Sequence, residues 1–264
     1  MKWKFIIALF AISISGILGL VYYYHLDPHL LTQLSFYEDL ANPSVKIVQV
    51  KEGLRKEEIA NIMADKLGWN DAEKDEFINA HLALDSQNLE GHYFPKTYLV
   101  LKDADPFEVS TTMFQEFSKE TSTIKKPATA KVINQETAVK IASIIQREAG
   151  GKSDMALISG IIWNRLFKGM KLQMDATLQY AKGTEENGWW GTVSPADKNI
   201  NSPYNTYQHT DLPPSAISNP GLAALVAAYN PQQTECLYYL HDKKGIIHCA
   251  KTYEEHKKNI DKYY

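Results

Sequence analysis

One carboxylate in this chain stands where the surrounding pattern calls for an apolar side chain. Over 137–149, Ala138, Ile141, Ala142 and Ile145 recur at helical spacing, and Glu148 falls on the same stripe, just before Gly150 and Gly151. Apolar surroundings disfavour the charged form, and a helix C-terminus carries partial negative charge. Both push a carboxyl pKa upward, toward a group that still holds its proton near neutral pH. A carboxyl of that kind can serve as a general acid. The plainer reading is a carboxylate pointing out of a fraying helix end, or one paired with Arg147 or Arg165. Position alone leaves both open.

Two further polar sets could line a cleft. In 172–177, Gln173, Asp175 and Thr177 alternate with apolar residues, and an extended chain would place all three on one face. Such a row lines a polar cleft or faces solvent. The stretch 183–211 has little periodicity but carries Tyr204, Asn205 and Tyr207, which could stack on sugar rings and bind hydroxyls, or simply pack their own loop.

The elements that must position these residues are mostly helical. After the Glu148 helix, Ser153 is a candidate N-cap for a helix with Ile158, Ile161, Ile162 and Arg165 on one face. Asn219-Pro220 starts another, running through Tyr229, with proline at the favoured first position. Cys236 and Cys249 flank a pattern that reads as a β-hairpin around Asp242-Lys243-Lys244-Gly245. They fall near each other but not directly opposite, so a disulfide and two buried thiols both remain open. Two cysteines without a histidine cluster argue against zinc. Nearer the N-terminus, 45–50 alternates as a strand. Ile59, Ile62, Met63 and Leu67 then mark a helix stopped by Gly68, and Asn70 caps a second helix through Phe77, Ile78 and His81.

The 264-residue chain is 44% hydrophobic and 22% charged, which suits one sizeable core or two small ones. Its formal net charge of −3 offers no basic excess for a nucleic-acid partner. Lys2 and Lys4 precede an apolar run over 5–21 closed by Tyr22, Tyr23 and Tyr24. As a helix the run and its tyrosines are long enough for one hydrocarbon core. The lysines favour a cytoplasmic N-terminus. Bulky tyrosines stand where a signal peptidase would need small residues. The expectation is an uncleaved anchor over 1–24, a spacer over 25–43, and everything beyond it outside the cytoplasm.

The order and wording of several separated segments resemble the endolytic murein transglycosylases, the MltG or YceG-like family. They are Leu89-Glu90-Gly91-His92-Tyr93-Phe94-Pro95-Lys96-Thr97-Tyr98, Ala142-Ser143-Ile144-Ile145-Gln146-Arg147-Glu148, Asn164-Arg165-Leu166, Gly169-Met170-Lys171-Leu172-Gln173-Met174-Asp175-Ala176-Thr177 and Ser202-Pro203-Tyr204-Asn205-Thr206-Tyr207. Leu212-Pro213-Pro214, Ile217-Ser218-Asn219-Pro220-Gly221 and Thr252-Tyr253-Glu254-Glu255-His256 complete the set. The resemblance runs from about Val45 to the C-terminus. It departs at Lys96, where the family usually has an acid, at Ala176, usually proline, and at Asp211 and Ser215, usually glycines. The turn around Gly245 to His248 also differs in spacing.

The resemblance implies an α+β protein with a small LysM-like strand–helix–helix subdomain over 44–95 and a larger mixed α/β catalytic domain over 96–264. It places the catalytic glutamate at Glu148 and makes Gln173, Asp175, Thr177, Tyr204, Asn205, Tyr207 and Arg165 the candidates for holding the sugar. It implies a lyase that cleaves between N-acetylmuramic acid and N-acetylglucosamine without water, leaving 1,6-anhydro ends, with no metal or cofactor. Its partners would be peptidoglycan strands, the inner membrane and cell-wall synthases such as penicillin-binding proteins. A binding scaffold for those synthases, without catalysis, is the alternative. A pyridoxal-phosphate lyase lacks support, since no glycine-rich phosphate cradle accompanies a candidate lysine.

Overall fold

The computed structural model describes residues 19, 41–80, 89–127 and 133–263. The anchor expected over 1–24 (Gly19 apart), most of the spacer over 25–43 and His81 lie outside the described residues. Among the described residues, no helix is long and apolar enough to cross a membrane. The architecture of these residues is mixed α+β, mostly helical with two small sheets among the described residues, and the chain divides into two compact units.

The smaller unit holds residues up to 51, 57–80 and 95–110. Strand β1 (Val45–Gln49) leads to α1 (Lys56–Leu67) and α2 (Asp71–Asn79), and then to β2 (Thr97–Leu101). The two strands pair antiparallel, from Val45 opposite Leu101 to Gln49 opposite Thr97. Gly68 after α1 takes φ +83°, the left-handed turn that favours glycine. Asn70 caps α2 as its position predicts. Its side chain accepts the Ala72 and Glu73 amides, and Glu73 accepts the Asn70 amide in return. Val48, Ile59, Met63 and Phe77 are fully buried.

Helix α3 (Pro106–Ser122) was not evident from periodicity, although Asp105-Pro106 is a start signal: the Asp105 carboxylate accepts the Phe107 and Glu108 amides. The larger unit holds 52–56, 89–94 and everything described from 111 on. It contains α4 (Gln135–Glu148), α5 (Met155–Phe167), α6 (Asp175–Lys182), a 3₁₀ turn (Pro195–Asn199), α7 (Leu222–Tyr229), the hairpin β3 (Tyr238–His241) and β4 (Ile247–Ala250), and α8 (Tyr253–Tyr263). The stripes of α4, α5 and α7 form its core around Ile141, Ile145, Ile158, Ile162, Leu225 and Tyr229.

Three sequence expectations are corrected here. Residues 172–177 are not one extended row, because α6 begins at Asp175 and Gln173 has φ +54°. Ser153 does not cap α5; its hydroxyl donates to Asp154, which occupies the cap position in helical geometry. Helix α7 starts at Leu222 behind Gly221 rather than at Asn219-Pro220. The Asn219 side chain is engaged elsewhere, accepting the Tyr93 amide and donating to Glu90. The hairpin stands as expected, and its open cysteine question is settled: Cys236 and Cys249 form a disulfide with Cα atoms 5.8 Å apart.

Candidate active site

Glu148 is the last residue of α4, three residues past buried Ile145 and on the same face, so the apolar stripe carries it to the rim of a cleft of about 590 Å³. Its side chain is half-buried. Oε1 accepts the Ala176 amide at 3.1 Å, and Oε2 accepts the Tyr239 hydroxyl at 2.8 Å. Neither arginine considered from sequence takes it. Arg147 lies over the Trp190 ring, and Arg165 donates to the Leu237, Lys171 and Leu172 carbonyls.

Removal from water pushes the Glu148 carboxyl above the ordinary carboxylate range, and the nearby charge of Asp175 adds to this. The Ala176 amide, the Tyr239 hydroxyl and His241 oppose the rise. The amide belongs to the first turn of α6, so the positive end of one helix faces a carboxylate at the negative end of another. Desolvation is the larger effect, and Glu148 holds its proton more tightly than a solvated glutamate.

The sequence candidates divide into two groups. Gln173, Asp175, Tyr207 and Arg165 line the same cleft as Glu148. The Tyr207 hydroxyl donates to Asp175 at 2.6 Å, and burial together with that carboxylate holds its pKa far up. Gln173 is the one non-glycine residue with positive φ among those described, a conformation that costs about 1 kcal/mol and is found where a site over-determines the backbone. Its amide is held by the Thr206 carbonyl and its side chain by Arg165.

Thr177, Asn205 and Tyr204 turn inward instead. Thr177 is fully buried and bonds the Met174 carbonyl and Thr206. Asn205, also fully buried, gathers the Lys198 and Ile200 carbonyls and the Tyr207 amide, which shapes the loop bearing Tyr207. Tyr204 packs on Tyr180 and bonds Ser215.

Sequence reasoning missed Tyr239, His241 and the Ala176 amide. Tyr239 and His241 alternate on β3 and so share a face. His241 sits 3.1 Å from the carboxylate of Asp154, the N-cap residue of α5, whose side chain makes no cap bond to its own helix. The alternation after Cys236 was a usable signal; which face met Glu148 was not.

A larger groove of about 1000 Å³ beside α5 is lined by Trp163, Phe167 and Tyr229. Its only carboxylate is the exposed Glu235, which pairs with Lys251 and is held in its charged form, so it offers no proton donor comparable to Glu148. Among the described residues, no group of three His, Cys, Asp or Glu side chains could hold a metal ion.

The chain is 35% identical to an endolytic murein transglycosylase of Bacillus subtilis over 177 residues, 66% of this chain and 48% of that protein. It is 29% identical to one of Streptococcus pneumoniae over 174 residues, 65% of this chain and 32% of that protein. It thus spans about half or less of the curated relatives it matches. The fold is similar to the crystal structure of a YceG-like protein from Listeria monocytogenes, with a TM-score of 0.70 and 27% identity, covering 83% of this chain and 76% of that one. The model of the YceG-like family matches residues 23–262, and the chain belongs to that family, with distant homology to the endolytic murein transglycosylases.

Proposed function

We propose that this protein is a lytic transglycosylase that cleaves peptidoglycan strands endolytically, with Glu148 as its single acid–base group. The observation that carries the reading is the Glu148 carboxyl itself: desolvated at a cleft wall, raised in pKa and bonded through both oxygens. Its relatives' names give the substrate class.

In the first step Glu148 donates its proton to the glycosidic oxygen between N-acetylmuramic acid and N-acetylglucosamine. The C1–O bond breaks with its electron pair going to that oxygen. The muramyl N-acetyl oxygen supports the positive charge left at C1. Ionised Glu148 then takes the proton of the same sugar's primary hydroxyl, whose oxygen closes the 1,6-anhydro ring. The carboxyl is regenerated and no water is consumed. A second carboxylate, as in ordinary glycosidases, is not needed. Gln173, Asp175, Tyr207 and Arg165 are the side chains that would hold the sugar in the cleft. Thr177, Asn205 and Tyr204 act one step behind, by shaping the walls.

The β1–α1–α2–β2 unit is assigned as the LysM-like subdomain, and the larger unit as the catalytic domain. The apolar run over 5–21 supports a single-pass inner-membrane protein with its catalytic domain outside the cytoplasm. The Cys236–Cys249 disulfide fits an oxidising compartment. Cell-wall synthases are the protein partners this placement suggests.

The test is product analysis by mass spectrometry after incubating the full chain with purified glycan strands. Anhydro-muramyl ends, lost in Glu148→Gln, are the expected result. Reducing ends, which mean hydrolysis, or intact strands recovered on the protein, which mean a binding scaffold, would overturn it.

A further inference from the structure

The two oxygens of Glu148 are held in unequal ways. Oε1 faces the Ala176 amide, whose direction is set by the backbone of α6. Oε2 faces the Tyr239 phenol, a side-chain hydroxyl that can both donate and accept. An oxygen already occupied by a fixed N–H is the carbonyl-like one, so an added proton resides on the other. We infer that Tyr239 is a positioning residue for Glu148, marking Oε2 as the oxygen that carries the catalytic proton and directing that proton into the cleft. The inference rests on the reading of Glu148 as the acid.

The proton balance assigns the roles. Burial and the adjacent Glu148 hold the Tyr239 phenol well above its ordinary range, so it keeps its own proton throughout. It is a donor, not a second acid. While Glu148 is protonated, Tyr239 donates to a lone pair of Oε2 and leaves that oxygen's proton free for the substrate. Once the proton has gone to the glycosidic oxygen, the same contact becomes charge-assisted and strengthens. Tyr239 therefore stabilises the carboxylate that forms during bond cleavage more than the acid that precedes it. Such differential stabilisation accelerates a step.

The hairpin fixes the phenol. Across the ladder Tyr239 pairs with Cys249, which the disulfide ties to Cys236. The hydroxyl also lies 3.4 Å from the Met174 sulfur, and the His241 ring meets the Tyr239 ring edge-on at 5.9 Å. His241 is itself held by Asp154. The other titratable groups lining this cleft are Asp175 on α6, with Tyr207 bonded to it, Arg165 on α5, Lys198, Tyr238 on β3, and Tyr253 and His256 on α8. All of them remain when the Tyr239 hydroxyl is removed.

The experiment uses the full chain in detergent and compares Tyr239→Phe with wild type and Glu148→Gln. In Tyr239→Phe we expect kcat to fall about tenfold, the scale of one charge-assisted hydrogen bond, with KM unchanged. Activity needs protonated Glu148 and is lost as pH rises through its pKa. Removing a donor to the carboxylate raises that pKa, so the basic limb of the pH–rate profile moves to higher pH. Carboxyl-carbon NMR of Glu148 should titrate higher in the variant, a readout independent of turnover. A fluorinated tyrosine installed at 239, a stronger donor of nearly the same size, should move the limb to lower pH. Unchanged kcat, limb and titration in Tyr239→Phe, beside an inactive Glu148→Gln, would sink the role of Tyr239 alone. Full activity in Glu148→Gln would instead sink the reading of the acid.

Discussion

The larger unit withdraws two glutamates from water, and it gives them different surroundings. Glu90 is fully buried, and its oxygens accept Asn219 at 3.0 Å, the Lys56 amide at 3.4 Å and the Tyr180 hydroxyl at 3.5 Å. Those partners come from distant segments, so Glu90 ties the chain together, and it lines neither the Glu148 cleft nor the larger groove beside α5. Glu148 has a similar complement of donors but stands at the rim of a cleft. Partners around a carboxylate do not by themselves make a site. The open side toward a cleft separates the proposed acid from the glutamate that ties the chain together.

The sharpest way to break this contrast is to neutralise Glu148. In Glu148→Gln the turnover of glycan strands should fall about a thousandfold, the scale of a lost general acid. Stability should not fall with it. A carboxyl whose folded pKa lies above its unfolded value binds more protons in the folded state. Its contribution to stability is present at low pH and is lost as pH rises through the raised pKa. At neutral pH the charged form is therefore a cost that glutamine lacks. Glutamine can still accept the Ala176 amide and donate to the Tyr239 oxygen. A melting temperature at pH 7 equal to or above wild type is expected, and a marked drop would show that Glu148 is a structural residue like Glu90.

Glu90→Ala should do the reverse. It removes a buried carboxylate that accepts from Asn219, Tyr180 and the Lys56 amide, at a cost of about 3 kcal/mol. Melting should fall by several degrees, while kcat per folded molecule stays near wild type. A large loss of kcat without loss of stability would erase the distinction between the two glutamates.

How much of this was legible in the sequence follows from the range of each interaction. The Glu148 stripe, the α2 cap and the hairpin depend on neighbours within a turn or a ladder, and the pattern of residue types carries them. The row at 173–177 was misread because alternation says nothing about the left-handed Gln173, which turns the chain into a helix within two residues. For Asn205 and Thr177 the sequence leaves the cleft and other placements open, because a polar side chain looks the same in sequence whether it faces a cleft or closes backbone bonds inward. Tyr239 meets Glu148 from 91 positions away, and no local pattern encodes that approach. The strand pairing of Thr97–Leu101 with Val45–Gln49 is long-range in the same sense.

The disulfide extends the comparison to the part of the site that lies far away in sequence. Glu148 meets Tyr239 on a four-residue strand, and the residue two places before that strand, Cys236, is tied to the partner strand through Cys249. Replacing both cysteines with serine releases a loop whose closure contributes about 3 kcal/mol. Melting should drop by a few degrees, and kcat should drop further than the folded fraction accounts for, because the phenol loses its fixed place. Equal losses of stability and activity would mean that the hairpin matters only as fold.

The smallest expected effect isolates the second donor. Ala176 is the second residue of α6, where the amide has no partner within its own helix, and Glu148 takes it at 3.1 Å. Proline lacks that N–H and is tolerated in a first helical turn, so Ala176→Pro removes one donor to Oε1. Ala176→Ser keeps the amide and is the control for added bulk. Losing a donor to the carboxylate raises the Glu148 pKa, so the basic limb of the pH–rate profile moves to higher pH, while the rate at the optimum changes only severalfold. Tyr239→Phe moves the limb the same way but costs more at the optimum, because Oε2 bears the proton and Oε1 does not. If proline at 176 cost as much turnover as phenylalanine at 239, the two oxygens would be equivalent, and the assignment of the catalytic proton to Oε2 would fall.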